Sequence, residues 1–118
     1  MFQPIIFHIT TIGVWQQFAN ENYFETASLK SEGFIHTSTS AQLEATAKRY
    51  YAAEKEILIL HLDANAMKSK IKFEFANSVN DYFPHIFGVI EKENILQIDL
   101  VKNENRKFLW AEKTKFKI

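Results

Sequence analysis

Two short segments of the chain share one chemical pattern: His8-Ile9-Thr10 and His36-Thr37-Ser38 each place an imidazole and a hydroxyl two residues apart. On a strand, residues so spaced project to the same side. A neutral imidazole offers one hydrogen-bond donor and one acceptor, and a hydroxyl offers both, so two such strands side by side can grip a ribose or a carboxamide. The structural alternative is a pair of core histidines satisfied by backbone partners. His85, inside the Pro- and Gly-bounded segment Phe83-Pro84-His85-Ile86-Phe87-Gly88, supplies a third imidazole and moves the balance toward a site. Three imidazoles from three strands also make a catalytic zinc centre with one open position. Neither an HxxxH nor an HxH pair occurs, so a histidine-ligated metal hydrolase would rest on tertiary convergence alone, and no metal is expected.

Carboxylates near these motifs have more than one reading. Glu74 alternates with Phe73 and Phe75, so it either faces solvent or looks into a polar pocket, where it would stabilise an oxocarbenium-like centre during glycosidic cleavage. Glu32, just before Gly33, reads as a loop anchor, and Asp63 as the cap of the turn that follows it. His61 lies in the most aliphatic run and reads as structural or as a strand end facing solvent. Trp15, Tyr23 and Phe87 offer stacking faces for a base or a nicotinamide ring, with core packing as the default.

The elements that must position these groups follow from periodicity. Ile5 to Thr10 and Phe34 to Ser38 alternate with period two, each with a partly polar face. Ile57 to Asp63 is almost continuously aliphatic, the pattern of a central strand covered on both sides. Ile71 to Phe75 and Ile95 to Val101 read as half-buried strands, and Phe83 to Gly88 as a short strand or strand-entering loop. Thr39 and Gln42 form a capping-box signature ahead of Leu43, Ala47 and Tyr50 at helical spacing. Thr11 to Ala19 is a shorter helix with Gly13 near its start, and 20–33 reads as a partly ordered loop. The segment from Lys102 to Ile118 holds six Lys or Arg against two Glu, interleaved with Phe108, Leu109, Trp110 and Phe116. It reads as a final strand or helix with its aromatics on the core and its lysines outside, rather than as a nucleic-acid or membrane tail.

Composition bounds the function class. At 118 residues, 47% hydrophobic and with 11 Phe, the chain suits one domain with a single core. Lys plus Arg and Asp plus Glu are both 14, so no overall field would gather nucleic acid or an anionic membrane. No run approaches the roughly 18 apolar residues of a spanning helix, and the opening MFQPIIFHIT lacks the basic start of a signal peptide, which makes the cytoplasm the expected compartment. With no Cys, disulfides, thiolate catalysis and cysteine-ligated zinc are excluded. GxGxxG, P-loop and GxSxG motifs are all missing, which disfavours dinucleotide dehydrogenases, P-loop kinases and serine hydrolases.

The ordered set Phe7-His8-Ile9-Thr10, Trp15, Ser28-Leu29, Glu32 to Ser38, Gln42 and Phe83 to Gly88 resembles the bacterial family called domain of unknown function 952, over a core of 7–108 with a basic and aromatic extension at 109–118. That family looks related to the ADP-ribosyltransferase superfold. The resemblance implies an α+β domain with a bent, mostly antiparallel sheet and two to three helices. It also implies a small-molecule nucleotide ligand, NAD or an ADP-ribose-like group. His8, His36 and Glu74 would be catalytic, with His8 on the ribose next to nicotinamide. Thr10, Trp15, Ser28, Ser38, His85 and Phe87 would bind the cofactor. The chain departs from active transferases in having His36 where the second strand carries Tyr, and Glu74 is the one candidate for the catalytic Glu. A noncatalytic module that keeps the pocket and binds a protein partner is the alternative.

Overall fold

The computed structural model describes residues 5–118. The chain begins in β1 (Ile5–Thr10), which pairs antiparallel along its whole length with β4 (Glu56–Asp63). On its other side β4 pairs with β8 (Ile95–Glu104), so the aliphatic run is central, as its sequence predicts. Ile57, Leu58, Ile59, Leu60 and Leu62 are all fully buried, because both faces of this sheet are covered. One face packs on Ile6, Trp15, Phe24, Ile35, Ile86 and Ile90, and the other on Ile9, Ala47, Val101 and Phe108.

A second sheet has the order β3 (Ile35–His36), β6 (Asp81–Phe87), β5 (Lys70–Ala76). It joins the first where Phe7 and Ser38 exchange both backbone hydrogen bonds, at 2.9 and 2.8 Å. The result is a curled antiparallel sheet, bent at the chain that carries both histidine motifs. The expected strand over 34–38 is therefore shorter than its alternation predicts, since residues beyond His36 leave β6 to meet β1.

Three short helices complete the domain. Helix α1 (Ile12–Gln16) starts where the Thr11 hydroxyl accepts from the Val14 N–H at 3.3 Å. Helix α3 (Leu43–Tyr50) is capped at Gln42, three residues later than the capping-box signature predicts, because Thr39 to Gln42 form a turn in which the Gln42 side chain accepts from the Thr39 N–H at 3.0 Å. The segment 20–33 is more ordered than its composition predicts. It holds β2 (Tyr23–Phe24), paired with β7 (Ile90–Glu91), and α2 (Ala27–Ser31). Gly33, at φ 89°, ends α2 with its N–H on the Ser28 and Leu29 carbonyls, a left-handed cap that glycine fills without strain.

The C-terminal segment is two strands rather than one element. Asn105 and Arg106 both have positive φ, a two-residue turn that folds β9 (Lys107–Phe108) back on β8. A 3-10 turn at Trp110–Glu112 then brings β10 (Thr114–Phe116) to the other stretch of β8. Phe108 is buried and Lys115 of β10 is exposed, as are Lys113 and Lys117 on either side of it. Among the described residues no helix is long and apolar enough to cross a membrane.

Candidate functional site

The register of the second sheet sets the site. His36 lies opposite His85, His85 opposite Lys72, and Glu74 opposite Phe83. Directly opposed residues share a face, so both imidazoles and the Glu74 carboxylate stand on one side, while Ile35, Ile71 and Ile86 turn to the core. The two histidine rings are 5.3 Å apart between centroids. Each has a carboxylate behind it: the His85 Nδ1–H donates to Glu74 Oε1 at 2.7 Å, and the His36 Nε2–H donates to Glu32 Oε2 at 3.1 Å. These partners select the tautomer and hold the ring orientation, leaving the other nitrogen of each ring to accept. Phe34 stacks on His85 at 4.0 Å and 12°, and this narrows the ring's freedom further.

His8 sits deeper. Its Nδ1–H donates to the His36 carbonyl at 2.7 Å, while its Nε2 is buried without a partner. Burial lowers its pKa to about 4; the bond to His36 opposes that shift, and the His36 charge adds to it. His8 is thus a neutral imidazole at pH 7, with an acceptor nitrogen facing no donor.

These parts meet at a cavity of about 560 Å³, within the size range of small-molecule sites. His8, His36 and His85 all line it. Phe7 and Ile9 of β1, Thr37 and Ser38, Thr46, Tyr50 and Tyr51 of α3 and its end, and Ala76, Ser78, Val79 and Phe83 of the β5–β6 hairpin form the rest. The Ser38 hydroxyl donates to the Thr46 hydroxyl at 3.2 Å, which ties the histidine segment to α3. Gln42 holds the hairpin side by donating to the Tyr82 carbonyl at 2.6 Å and to Asp81 Oδ2 at 3.0 Å.

Several candidate residues lie elsewhere. Thr10 is buried but does not line the cavity. Trp15 is in the core against Phe24, with the Lys92 ammonium 4.9 Å above its ring. Ser28 donates to the Phe34 carbonyl at 2.7 Å and pins the loop before β3. Phe87 packs on Phe34, and Tyr23 on Phe18, so the aromatic wall of the cavity is Phe7, Tyr50, Tyr51 and Phe83 instead of Trp15, Tyr23 and Phe87. Glu74 reaches the site through His85 and does not itself line the cavity. His61 is structural, donating to the buried Asp99 at 2.8 Å, and the Asp63 carboxylate caps its turn at the Ala66 N–H, 3.3 Å away.

Sequence reasoning missed two contributors. Glu32 is the partner of His36, a contact made across the Gly33 turn. Thr37 lines the cavity and donates its hydroxyl to the Pro84 carbonyl. Among the described residues no group of three or more His, Asp or Glu is arranged to hold a metal ion.

The sequence matches the family described as protein of unknown function (DUF952) over residues 9–98, more than half of the chain. The chain belongs to this family. The DUF952 match contains two of the three cavity histidines, His36 and His85, and His8 lies one residue before its start. No curated protein matches the sequence. Among solved structures, the crystal structure of protein CC0527 from Caulobacter crescentus has a TM-score of 0.78 at 20% identity, covering 88% of this chain and 91% of that one. A double-mutant crystal structure of the same protein gives 0.78 at 21% over the same shares, and its solution NMR structure 0.75 at 20%, covering 90% and 91%. At this identity the likeness shows a shared fold.

Proposed function

We propose that the cavity binds NAD or an ADP-ribose-like nucleotide through its ribose and ring portions. The observation that carries this reading is the convergence of His8, His36 and His85, from three separate strands, on one cavity. A neutral His8 lines the cavity and donates its Nδ1–H to the His36 carbonyl, which fixes the backbone of His36 beside the ligand space, while its Nε2 is closed off from solvent. Ser38 and Thr46 add hydroxyls for a sugar, and Phe7, Tyr50 and Phe83 add ring faces for a base. Arg49 lies at the adjoining depression that shares Thr46, Val79 and Phe83 with the cavity, where it can meet a phosphate. The curled antiparallel sheet with three helices agrees with the ADP-ribosyltransferase-like architecture implied by the motifs.

Ribosyl transfer would then break the bond from ribose C1′ to the nicotinamide nitrogen, releasing neutral nicotinamide, and form a bond from C1′ to a water or acceptor hydroxyl whose proton passes to His36 or His85, each oriented by its carboxylate. Glu74 is a positioning residue in this scheme, acting through His85. The second reading, a binding module without chemistry, is favoured by one observation: Glu32 and Glu74 are both engaged by histidines and neither lines the cavity, so no carboxylate stands ready for an oxocarbenium centre.

Calorimetric titration with NAD and with ADP-ribose tests the site. Heat of binding that is lost in His36→Ala and Ser38→Ala is the expected result, and a folded protein giving no heat with either nucleotide removes the proposal. Release of free nicotinamide from NAD by the wild type, abolished in His85→Ala, separates transfer from binding alone.

A further inference from the structure

We infer that β5 is a self-complementary edge through which two copies of this chain pair as an antiparallel dimer. This rests on the strand and its surface, independently of what the cavity holds. Among the described residues β5 pairs on one side only, with β6, so its other edge presents free backbone donors and acceptors. Phe73 and Phe75 on β5, with Tyr82 beside them on β6, are exposed by 48%, 46% and 57%, an unusual concentration of open aromatic surface at the end of a sheet.

The strand reads Lys70-Ile71-Lys72-Phe73-Glu74-Phe75-Ala76. Lysines at an edge ordinarily discourage pairing, and here they choose the register. Opposed residues in an antiparallel pair share a face, so a two-fold axis must pass through a residue position. An axis at Lys72 sets Lys72 against itself, and an axis at Glu74 sets Glu74 against itself. An axis at Phe73 opposes Phe73 to Phe73, Lys72 to Glu74 twice, and Ile71 to Phe75 twice. Of these three central registers it alone places no like charges directly across the interface, and it overlaps the whole strand. Lys72 is in no ion pair among the described residues, and Glu74 uses only Oε1 on His85, so both have capacity for the partner. The two three-stranded sheets would become one continuous sheet with the exposed aromatics of both copies in one row.

Sedimentation of the full chain over a range of concentrations tests this. The wild type should pass reversibly from monomer to dimer, less readily at high salt. Lys72→Glu and Glu74→Lys each place like charges at the interface and should weaken the dimer by about tenfold or more. An equimolar mixture of the two variants should recover a heterodimer, which also shows that both are folded. A wild type that stays monomeric throughout overturns the inference and leaves the edge to a strand of some other protein. Variants that dimerise as well as the wild type, or a mixture that does not recover, overturn it equally.

Discussion

His8 shows how one imidazole is tuned by position. The residue is 5% exposed, and burial holds its pKa at about 4 against an unperturbed 6.5. Between those values the unfolded chain binds a proton that the folded chain refuses, so this contribution to stability is complete above pH 6.5 and declines as pH falls toward 4. The shift corresponds to about 3 kcal/mol. Urea unfolding of the wild type at pH 7.5 and pH 5 should differ by about 2 kcal/mol, the share of the shift that has titrated by pH 5, and His8→Phe should flatten the dependence over the same interval. An unchanged acid limb in His8→Phe would place the titration elsewhere. His85 and His36 differ from His8 in having carboxylate partners, and that difference was invisible in the local sequence around the three histidines. Glu32 and Glu74 reach their histidines by a turn and a cross-strand diagonal, neither of which the local pattern specifies.

At the level of elements, the hairpin and its exit are fixed by two small contacts. A side chain on Gly88 would collide with the Ser69 hydroxyl, which is held by the Val89 carbonyl at 2.8 Å. Gly88→Ala should therefore cost about 1–3 kcal/mol, as overpacking does, and Ser69→Gly in the same chain should recover part of it. A double-mutant cycle by urea unfolding measures the coupling, and strictly additive effects would contradict the clash. Gln42 bonds to Thr39, Asp81 and Tyr82 at once, so it ties the start of α3 to β6. Gln42→Ala should lower stability by about 1–2 kcal/mol and raise amide exchange across β6, read by hydrogen exchange. The short elements β2, α2 and β9 lay beyond the reach of periodicity because two to five residues complete less than two periods of a helix and one of a strand. The turn at Asn105-Arg106 also lacks the glycine that usually marks it.

Over the whole molecule, the long-range pairing of β1, β4 and β8 is the frame on which the cavity hangs. Leu60 is fully buried at its centre, and Leu60→Ala should cost about 2–5 kcal/mol by urea unfolding; a loss well below 1 kcal/mol would mean that the centre of the sheet is not closely packed. Lys92 joins distant parts by donating to the Phe18 carbonyl at 2.6 Å while its ammonium lies over Trp15. Lys92→Met keeps the stem, so any destabilisation it shows in thermal unfolding reports the hydrogen bond and the cation–π contact rather than packing.

The alternation of Ile5 to Thr10, the aliphatic run at Ile57 to Asp63 and the spacing of Leu43, Ala47 and Tyr50 determined which residues form strands and helix, because each is a local pattern with a local cause. The two histidine-hydroxyl motifs were visible for the same reason. Which of their atoms meet was decided only by the bend at Phe7 and Ser38 and by the cross-strand register of β3, β6 and β5. That fold turns Trp15 and Ser28 away from the cavity, brings Tyr50 and Phe83 into it and leaves His8 Nε2 without a partner. Side-chain type follows from the chain one residue at a time, whereas the distance between residues far apart in sequence depends on backbone pairing that the whole core stabilises together.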